Sequence, residues 1–207
     1  MLIGVNIGRN KTTTTSVEQD YTLGIEQFGC LADYLVINIS SPNTPGLRAL
    51  QTDHELRNLL TSIRTVCEKM TCEPQDVRGN GKPVILLKVA PDLNEKEIAS
   101  ISAIVREPST RVDGLIVSNT TVARMDTLKN EHRQEAGGLS GRPLKEKALD
   151  TLRLFRSHTQ GSHSTCCSLR QVLPLTGQVP LIGVGGIETA EDIVERMKAG
   201  ASLVQSK

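Results

Sequence analysis

The stretch YLVINISSPNTPGLR, residues Tyr34 to Arg48, decides the fold. Leu35, Val36, Ile37 and Ile39 form an apolar, mostly β-branched run, which is the composition of a buried strand. Polar side chains then take over at once, in Asn38, Ser40, Ser41, Asn43 and Thr44. Pro42, Pro45 and Gly46 force the backbone into a loop. A buried strand that ends in hydrogen-bonding side chains on a stiff loop is how a barrel enzyme builds one corner of a catalytic site.

The same pattern repeats on either side. Upstream, Leu2 to Asn6 reads as a short strand that gives way to Asn6, Gly8 and Asn10. Ser16 with Gln19 predicts a capping box, a helix from Val17 to about Phe28, and a stop at Gly29. Downstream, Thr52 with Glu55 predicts a second capping box, and Leu56, Leu59, Leu60, Ile63, Val66 and Cys67 share one helical face. Val84 to Val89 is a third strand with Lys88 near its end. Asn94 caps a helix to about Arg106, and Leu115 to Val117 is a fourth strand ending in Ser118, Asn119, Thr120 and Thr121. A long polar loop leads to GGLSG, residues 137–141, and Pro143 opens the next helix. Leu181 to Val184 precedes Gly185 and Gly186, Thr189 with Asp192 caps another helix, and Ser202 to Gln205 starts a last strand.

Six strands alternating with five helices demand a parallel sheet with helices outside it. An open doubly wound sheet and most of a (β/α) barrel both satisfy that order, and both place ligands at the C-terminal ends of strands. No G-x-G-x-x-G or G-x-x-x-x-G-K-[ST] occurs, so the usual phosphate loops of nucleotide folds are missing. Gly185-Gly186 after a late strand fits the barrel, whose phosphate site follows its seventh and eighth strands.

Composition narrows the classes. The 207 residues suffice for one domain, with 38% hydrophobic, 23% charged and only 2% aromatic residues, so the core must be Leu, Ile and Val. A net charge of +1 without a basic block does not suggest nucleic acid or an anionic membrane surface as a partner. No apolar stretch is long enough to span a bilayer, and no targeting segment is expected before the first strand. Cys30, Cys67, Cys72, Cys166 and Cys167 follow no zinc or disulfide spacing, so free thiols in a reducing compartment are expected. Ser157 to Gly177, rich in Ser, His, Thr and Gln, breaks the rhythm and reads as an exposed insertion, with a short helix over Leu169, Val172 and Leu173. A metal at His158, His163 and the Cys pair is disfavoured by their spacing.

The strand ends carry the chemistry. Asn38, Asn43 and Asn119 each offer an acceptor and two donors, which suits a flat ring edge such as a pyrimidine or flavin, although each equally suits the backbone of its own turn. Lys88 at the end of a buried strand calls for an anionic partner: a phosphate, a carboxylate or a reduced flavin, or else a salt bridge to Asp92. Ser41 has no His–Asp pair or G-x-S-x-G context, and from chemistry alone it is a turn residue.

Taken together, GVNIGRNK, NISSPNTPGLRALQ, LLKVAPDL, IVSNTT, GGLSGRPL and LIGVGGI…AGASLVQ closely resemble the dihydroorotate dehydrogenases, in order and over nearly the whole chain apart from Ser157 to Gly177. The Ser in NISSPN resembles the class 2, quinone-linked, membrane-associated members; class 1 enzymes, and related flavin barrels such as dihydropyrimidine dehydrogenase, carry Cys there. The resemblance implies a TIM (β/α)8 barrel of the FMN-linked oxidoreductase type that oxidises (S)-dihydroorotate to orotate in pyrimidine synthesis and passes electrons to ubiquinone. For a eukaryotic source it implies the mitochondrial inner membrane. It makes Ser41 the base, assigns Asn38, Asn43, Asn119 and Thr120 to the pyrimidine, and assigns Asn6, Asn38, Lys88, Ser118, Ser140, Gly141, Gly185 and Gly186 to FMN. It also implies that residues 1–207 are one partial barrel domain matching family strands three to eight. The family's first two strands, its membrane-associating helix pair and a Tyr-Thr pair after Gln205 have no counterpart here. An inactive fragment or splice form is therefore the alternative expectation.

Overall fold

The computed structural model describes residues 2–10, 16–72, 82–126, 128–160 and 178–206. Strands β1 (Gly4–Gly8), β2 (Tyr34–Asn38), β3 (Ile85–Val89), β4 (Gly114–Val117), β5 (Leu181–Val184) and β6 (Leu203–Gln205) alternate with helices α1 (Val17–Phe28), α2 (Asp53–Lys69), α3 (Glu95–Ile104), α4 (Lys145–Thr159) and α5 (Ala190–Lys198). Short 3-10 turns at Leu47–Gln51 and Arg142–Leu144 precede α2 and α4. The six strands form one sheet in the order β1-β2-β3-β4-β5-β6, every neighbouring pair parallel.

Alternation along each strand separates two faces. Leu35, Ile37, Ile85, Leu87, Val89, Leu115, Val117 and Leu181 point to one side and join Tyr21, Ile25, Leu56, Leu59, Leu60, Ile63, Ile98, Ile101, Leu152 and Phe155 of the helices in the main core. Val36, Leu86 and Ile116 point to the other side, where the partly buried apolar residues Tyr34, Val84, Ile182 and Val184 pack against them. Helices therefore cover one face. The strand order never reverses, so the sheet has no switch point of the doubly wound kind. The architecture is a partial TIM barrel, an arc of six strands with the helices outside.

Capping boxes form at Ser16/Gln19, Asn94/Glu97 and Thr189/Asp192. The box expected at Thr52/Glu55 does not: the preceding 3-10 turn brings Ala49 within reach, and the Thr52 hydroxyl donates to its carbonyl at 2.9 Å. The first strand also lies two residues later than the sequence indicates. Gly4 is the first residue with a partner on β2, Tyr34, so Leu2 and Ile3 stay 62% and 49% exposed. Helix α4 continues to Thr159, whose hydroxyl donates to the Phe155 carbonyl in a buried position. Ser157 and His158 are thus helical, not part of an insertion. The short helix over Leu169, Val172 and Leu173, and the residues His163, Cys166 and Cys167, lie outside the described residues.

The cysteine expectation needs correction. Cys30 and Cys72, 42 residues apart, are joined in a disulfide with their Cα atoms 5.3 Å apart. The turn after α1 and the chain beyond α2 meet beside each other, an adjacency that spacing along the chain does not reveal. Cys67 is a free, buried thiol, and burial pushes its pKa up to about 11. A formed disulfide runs against the expected reducing compartment. No helix among the described residues is long and apolar enough to cross a membrane.

Candidate active site

The polar ends of β2, β3 and β4 meet at the C-terminal rim of the arc. Asn38 pairs in register with Lys88, and Lys88 with Ile116. One residue past β4, Ser118 donates its N–H to the Val184 carbonyl at 3.1 Å, while Asn119 extends the ladder to the Val89 carbonyl at 2.9 Å. The Val117–Ser118 peptide bond is cis.

Asn38, Ser40 and Asn119 form a closed set of hydrogen bonds. The Asn119 amide donates to Asn38 Oδ1 at 3.1 Å and to Ser40 Oγ at 2.9 Å. The fully buried Ser40 hydroxyl lies 2.7 Å from the Lys88 carbonyl oxygen and 3.1 Å from Asn38 Oδ1. Asn119 Oδ1 accepts the Thr120 N–H at 2.8 Å. These bonds fix the amide planes and leave remaining donor and acceptor capacity for a ligand. Ser41 and Asn43 stand on the adjoining loop, where the Ser41 hydroxyl accepts the Asn43 N–H at 3.3 Å. The structure thus brings Asn38, Ser41, Asn43, Asn119 and Thr120 together at one rim.

Lys88 points to the concave face, half-buried, and among the described residues no carboxylate lies within ion-pair distance of it. Burial lowers its pKa. The salt bridge to Asp92 weighed from sequence does not form, because Asp92 is engaged elsewhere. It takes Arg48 Nη1 at 2.8 Å, Lys147 Nζ at 2.9 Å, the Thr121 hydroxyl and the Val122 N–H. Burial alone raises the Asp92 pKa, but these four contacts outweigh it and the net shift is downward.

Three contributors escaped the sequence reading. Arg48 donates to the Ser40 carbonyl at 3.2 Å, to Asp92, and to the Thr120 carbonyl at 2.9 Å, and so spans the loops after β2 and β4. Buried Tyr21 donates its hydroxyl to the Asn38 carbonyl at 2.9 Å. Its phenol is held protonated by desolvation, which raises its pKa. Gly137 and Gly138 lie against the site: a Cβ on Gly138 would sit 1.9 Å from Thr120 Oγ1, and one on Gly137 3.5 Å from Asn43 Oδ1. An antiparallel bridge between Thr121 and Leu139 holds them there. Arg48 and the glycine pair were visible only as parts of motifs, and Tyr21 carried no signal.

The remaining predicted residues occupy the margins. Asn6 is on the concave face of β1, opposite Val36 and exposed. Ser140 is exposed, and Gly141, at φ +75°, leads into the turn before α4. Gly185 and Gly186 form a corner beyond β5 at φ +111° and +64°, and a Cβ on Gly186 would meet Lys145 Cα at 2.6 Å. That backbone approach is open to glycine alone. A flat cofactor that gains negative charge on reduction and carries a phosphoryl tail fits this arrangement on two counts. The Lys88 ammonium, without a carboxylate partner among the described residues, sits within the rim, and the glycine corner stands beyond β5.

Comparison with known proteins gives the same lineage. A family model described as dihydroorotate dehydrogenase matches residues 1–207. The mouse protein named dihydroorotate dehydrogenase (quinone), mitochondrial, is 42% identical over 98% of this chain and 45% of its own length. The dihydroorotate dehydrogenase (quinone) of Parvibaculum lavamentivorans is 43% identical over 99% of this chain and 50% of its own. The crystal structure of the Eimeria tenella DHODH in complex with ferulenol superposes with a TM-score of 0.83 at 38% identity, covering 99% of this chain and 52% of that one. The chain spans about half the length of the relatives it matches.

Proposed function

We propose, from the premise that this chain belongs to the dihydroorotate dehydrogenase family, that its rim is the active-site half of an FMN-dependent enzyme that oxidises (S)-dihydroorotate to orotate. The observation that carries this reading is Lys88: a half-buried ammonium with no anionic partner among the described residues, in register with Asn38 on the concave face. An enzyme that gathers negative charge beside a flat ring needs such a cation there.

FMN, when bound, would supply the two-electron acceptor for the hydride leaving C6 of dihydroorotate. Asn6, Asn38, Lys88, Ser118, Ser140, Gly141, Gly185 and Gly186 would hold it. Asn38, Asn43, Asn119 and Thr120 would orient the pyrimidine, with the Asn38–Ser40–Asn119 bonds keeping their amides from turning. Ser41 would take the C5 proton. A serine hydroxyl is a weak base, so it would first give its own proton to solvent and then, as the alkoxide, take the C5 proton and return to the hydroxyl. The Asn43 N–H, already directed at Ser41 Oγ, is placed to stabilise that alkoxide. Arg48 would keep the Ser40 and Thr120 carbonyls, and with them both walls of the pyrimidine site, at a fixed separation.

The names of the relatives point to a quinone as the final acceptor. Ubiquinone, a role in pyrimidine synthesis, and association with the mitochondrial inner membrane complete the reading. A second reading is an inactive partial barrel. It is favoured by the outer edges of β1 and β6, which have no strand partner among the described residues, with Leu2 just before β1 and Leu203 in β6 62% and 63% exposed. One measurement separates the two. The desalted, purified protein is expected to show a flavin absorption spectrum that bleaches on adding dihydroorotate. A colourless protein that gains no bound flavin when mixed with FMN would defeat the first reading and leave the second.

A further inference from the structure

Among the fully buried side chains of α5 is one cation. Arg196 is 1% exposed, and its Nη2 donates to the Gly185 carbonyl at 2.7 Å and to the Lys145 carbonyl at 2.8 Å. Its Nη1 is buried and has no hydrogen-bond partner among the described residues. The stem of Arg196 runs beneath β5, where a Cβ on Gly183 would touch it at 3.4 Å.

Asp192, Glu195 and Glu146 act on Arg196 through their charge, but none forms an ion pair with it among the described residues. Asp192 holds Lys145 Nζ at 2.6 Å and accepts the N–H groups of Glu188 and Thr189. Glu195 faces Lys145 and Arg153. A guanidinium buried with two neutral carbonyls as its hydrogen-bond partners keeps much of its desolvation cost, and an anion nearby would offset that cost. Burial indeed lowers the Arg196 pKa. Both carbonyls that it grips belong to the walls of one corner: Gly185 within the positive-φ pair, and Lys145 at the start of α4, packed against Gly186.

We propose that Arg196 is a positioning residue for a phosphoryl group at the Gly185–Gly186 corner, locking the corner to the start of α4 and supplying the buried positive charge that the phosphoryl group neutralises. The assignment rests on the flavin reading above, in which that group is the FMN phosphate. A charge enclosed by protein acts over several ångströms, so the effect does not require direct contact.

The test compares FMN with riboflavin, which lacks the phosphoryl group. Wild-type protein, Arg196→Gln and Arg196→Lys are titrated with each flavin, following flavin fluorescence. Inorganic phosphate is then tested as a thermal stabiliser. Arg196→Gln is expected to weaken FMN roughly 10- to 100-fold while leaving riboflavin unchanged, and to abolish stabilisation by phosphate. Arg196→Lys keeps the charge but loses the fork, so its preference for FMN over riboflavin should fall between the two. That variant carries the test if the glutamine protein does not fold. Parallel weakening of FMN and riboflavin, or an undiminished FMN preference in both variants, would overturn the proposal. Wild-type protein that binds neither flavin, yet is stabilised by phosphate only when Arg196 is present, would remove the flavin reading and keep the anion corner.

Discussion

The two faces of the sheet are made from the same strands, yet they do opposite things. Along β3 the side chains alternate strictly: Ile85, Leu87 and Val89 are buried completely under the helices, while Leu86 and Lys88 face the concave side. On the covered face every one of these positions is a hydrocarbon, and stability accumulates there. On the concave face the hydrocarbons Val36, Leu86 and Ile116 stop one step below the rim, and Asn38, Lys88 and Ser118 replace them. Polar groups at that depth are costly to stability, which is the mark of a site shaped for a ligand.

Substitutions on each side test this division. Leu87→Ala, on the covered face, should destabilise by about 2–5 kcal/mol in chemical denaturation. Leu86→Ala, on the other face, should cost clearly less, and equal losses would erase the distinction. Asp92→Asn comes next, at about 1–3 kcal/mol, because Arg48 and Lys147 lose their common acceptor. The Asp92 carboxyl has its pKa lowered by folding, so its stabilising contribution is present above the ordinary carboxylate range and is lost as pH falls through the lowered value. The asparagine protein should lack that acid-side loss, and amide exchange in residues 121–126 and 128–139 should quicken as Arg48 loosens.

Lys88→Met should go the other way, holding or raising stability by up to about 1 kcal/mol while flavin binding weakens. Folding depresses the Lys88 pKa, so the unfolded chain takes up the proton first as pH falls from the alkaline side. The penalty is absent above the unfolded pKa and complete below the folded one, so stability should climb with pH across that alkaline window. The methionine protein should show no such climb; an unchanged climb would mean another group is responsible. Ser41→Ala should move stability by no more than about 0.5 kcal/mol yet abolish dihydroorotate-dependent bleaching of the flavin. Retained bleaching would take the base role from Ser41.

The covered face was the legible one. Period-two runs in the strands and the apolar stripe of α2 mark it without ambiguity, because burial acts on every second or every third to fourth residue. The rim was half legible. Asn38, Lys88 and Asn119 stand out as polar groups where an apolar run ends. Tyr21, Arg48 and Arg196 do not, because they reach backbone carbonyls 17, 72 and 51 residues away, and a carbonyl leaves no trace in a sequence. The Cys30–Cys72 disulfide was hidden for a related reason, since only the folded chain brings the turn after α1 beside the segment beyond α2. Thr52 shows the converse, a true capping pattern outcompeted by a nearer carbonyl.

The hydrogen bond from Tyr21 to Asn38 has an optical consequence. The chain contains two tyrosines and no tryptophan. Tyr21 touches the rim through that bond, and Tyr34 starts the same strand at its other end. Ultraviolet emission from this protein therefore comes from the two ends of β2 with no indole background. An isoalloxazine seated at the rim would quench that emission by resonance energy transfer, Tyr21 before Tyr34, so the two tyrosines form a built-in gauge of occupancy.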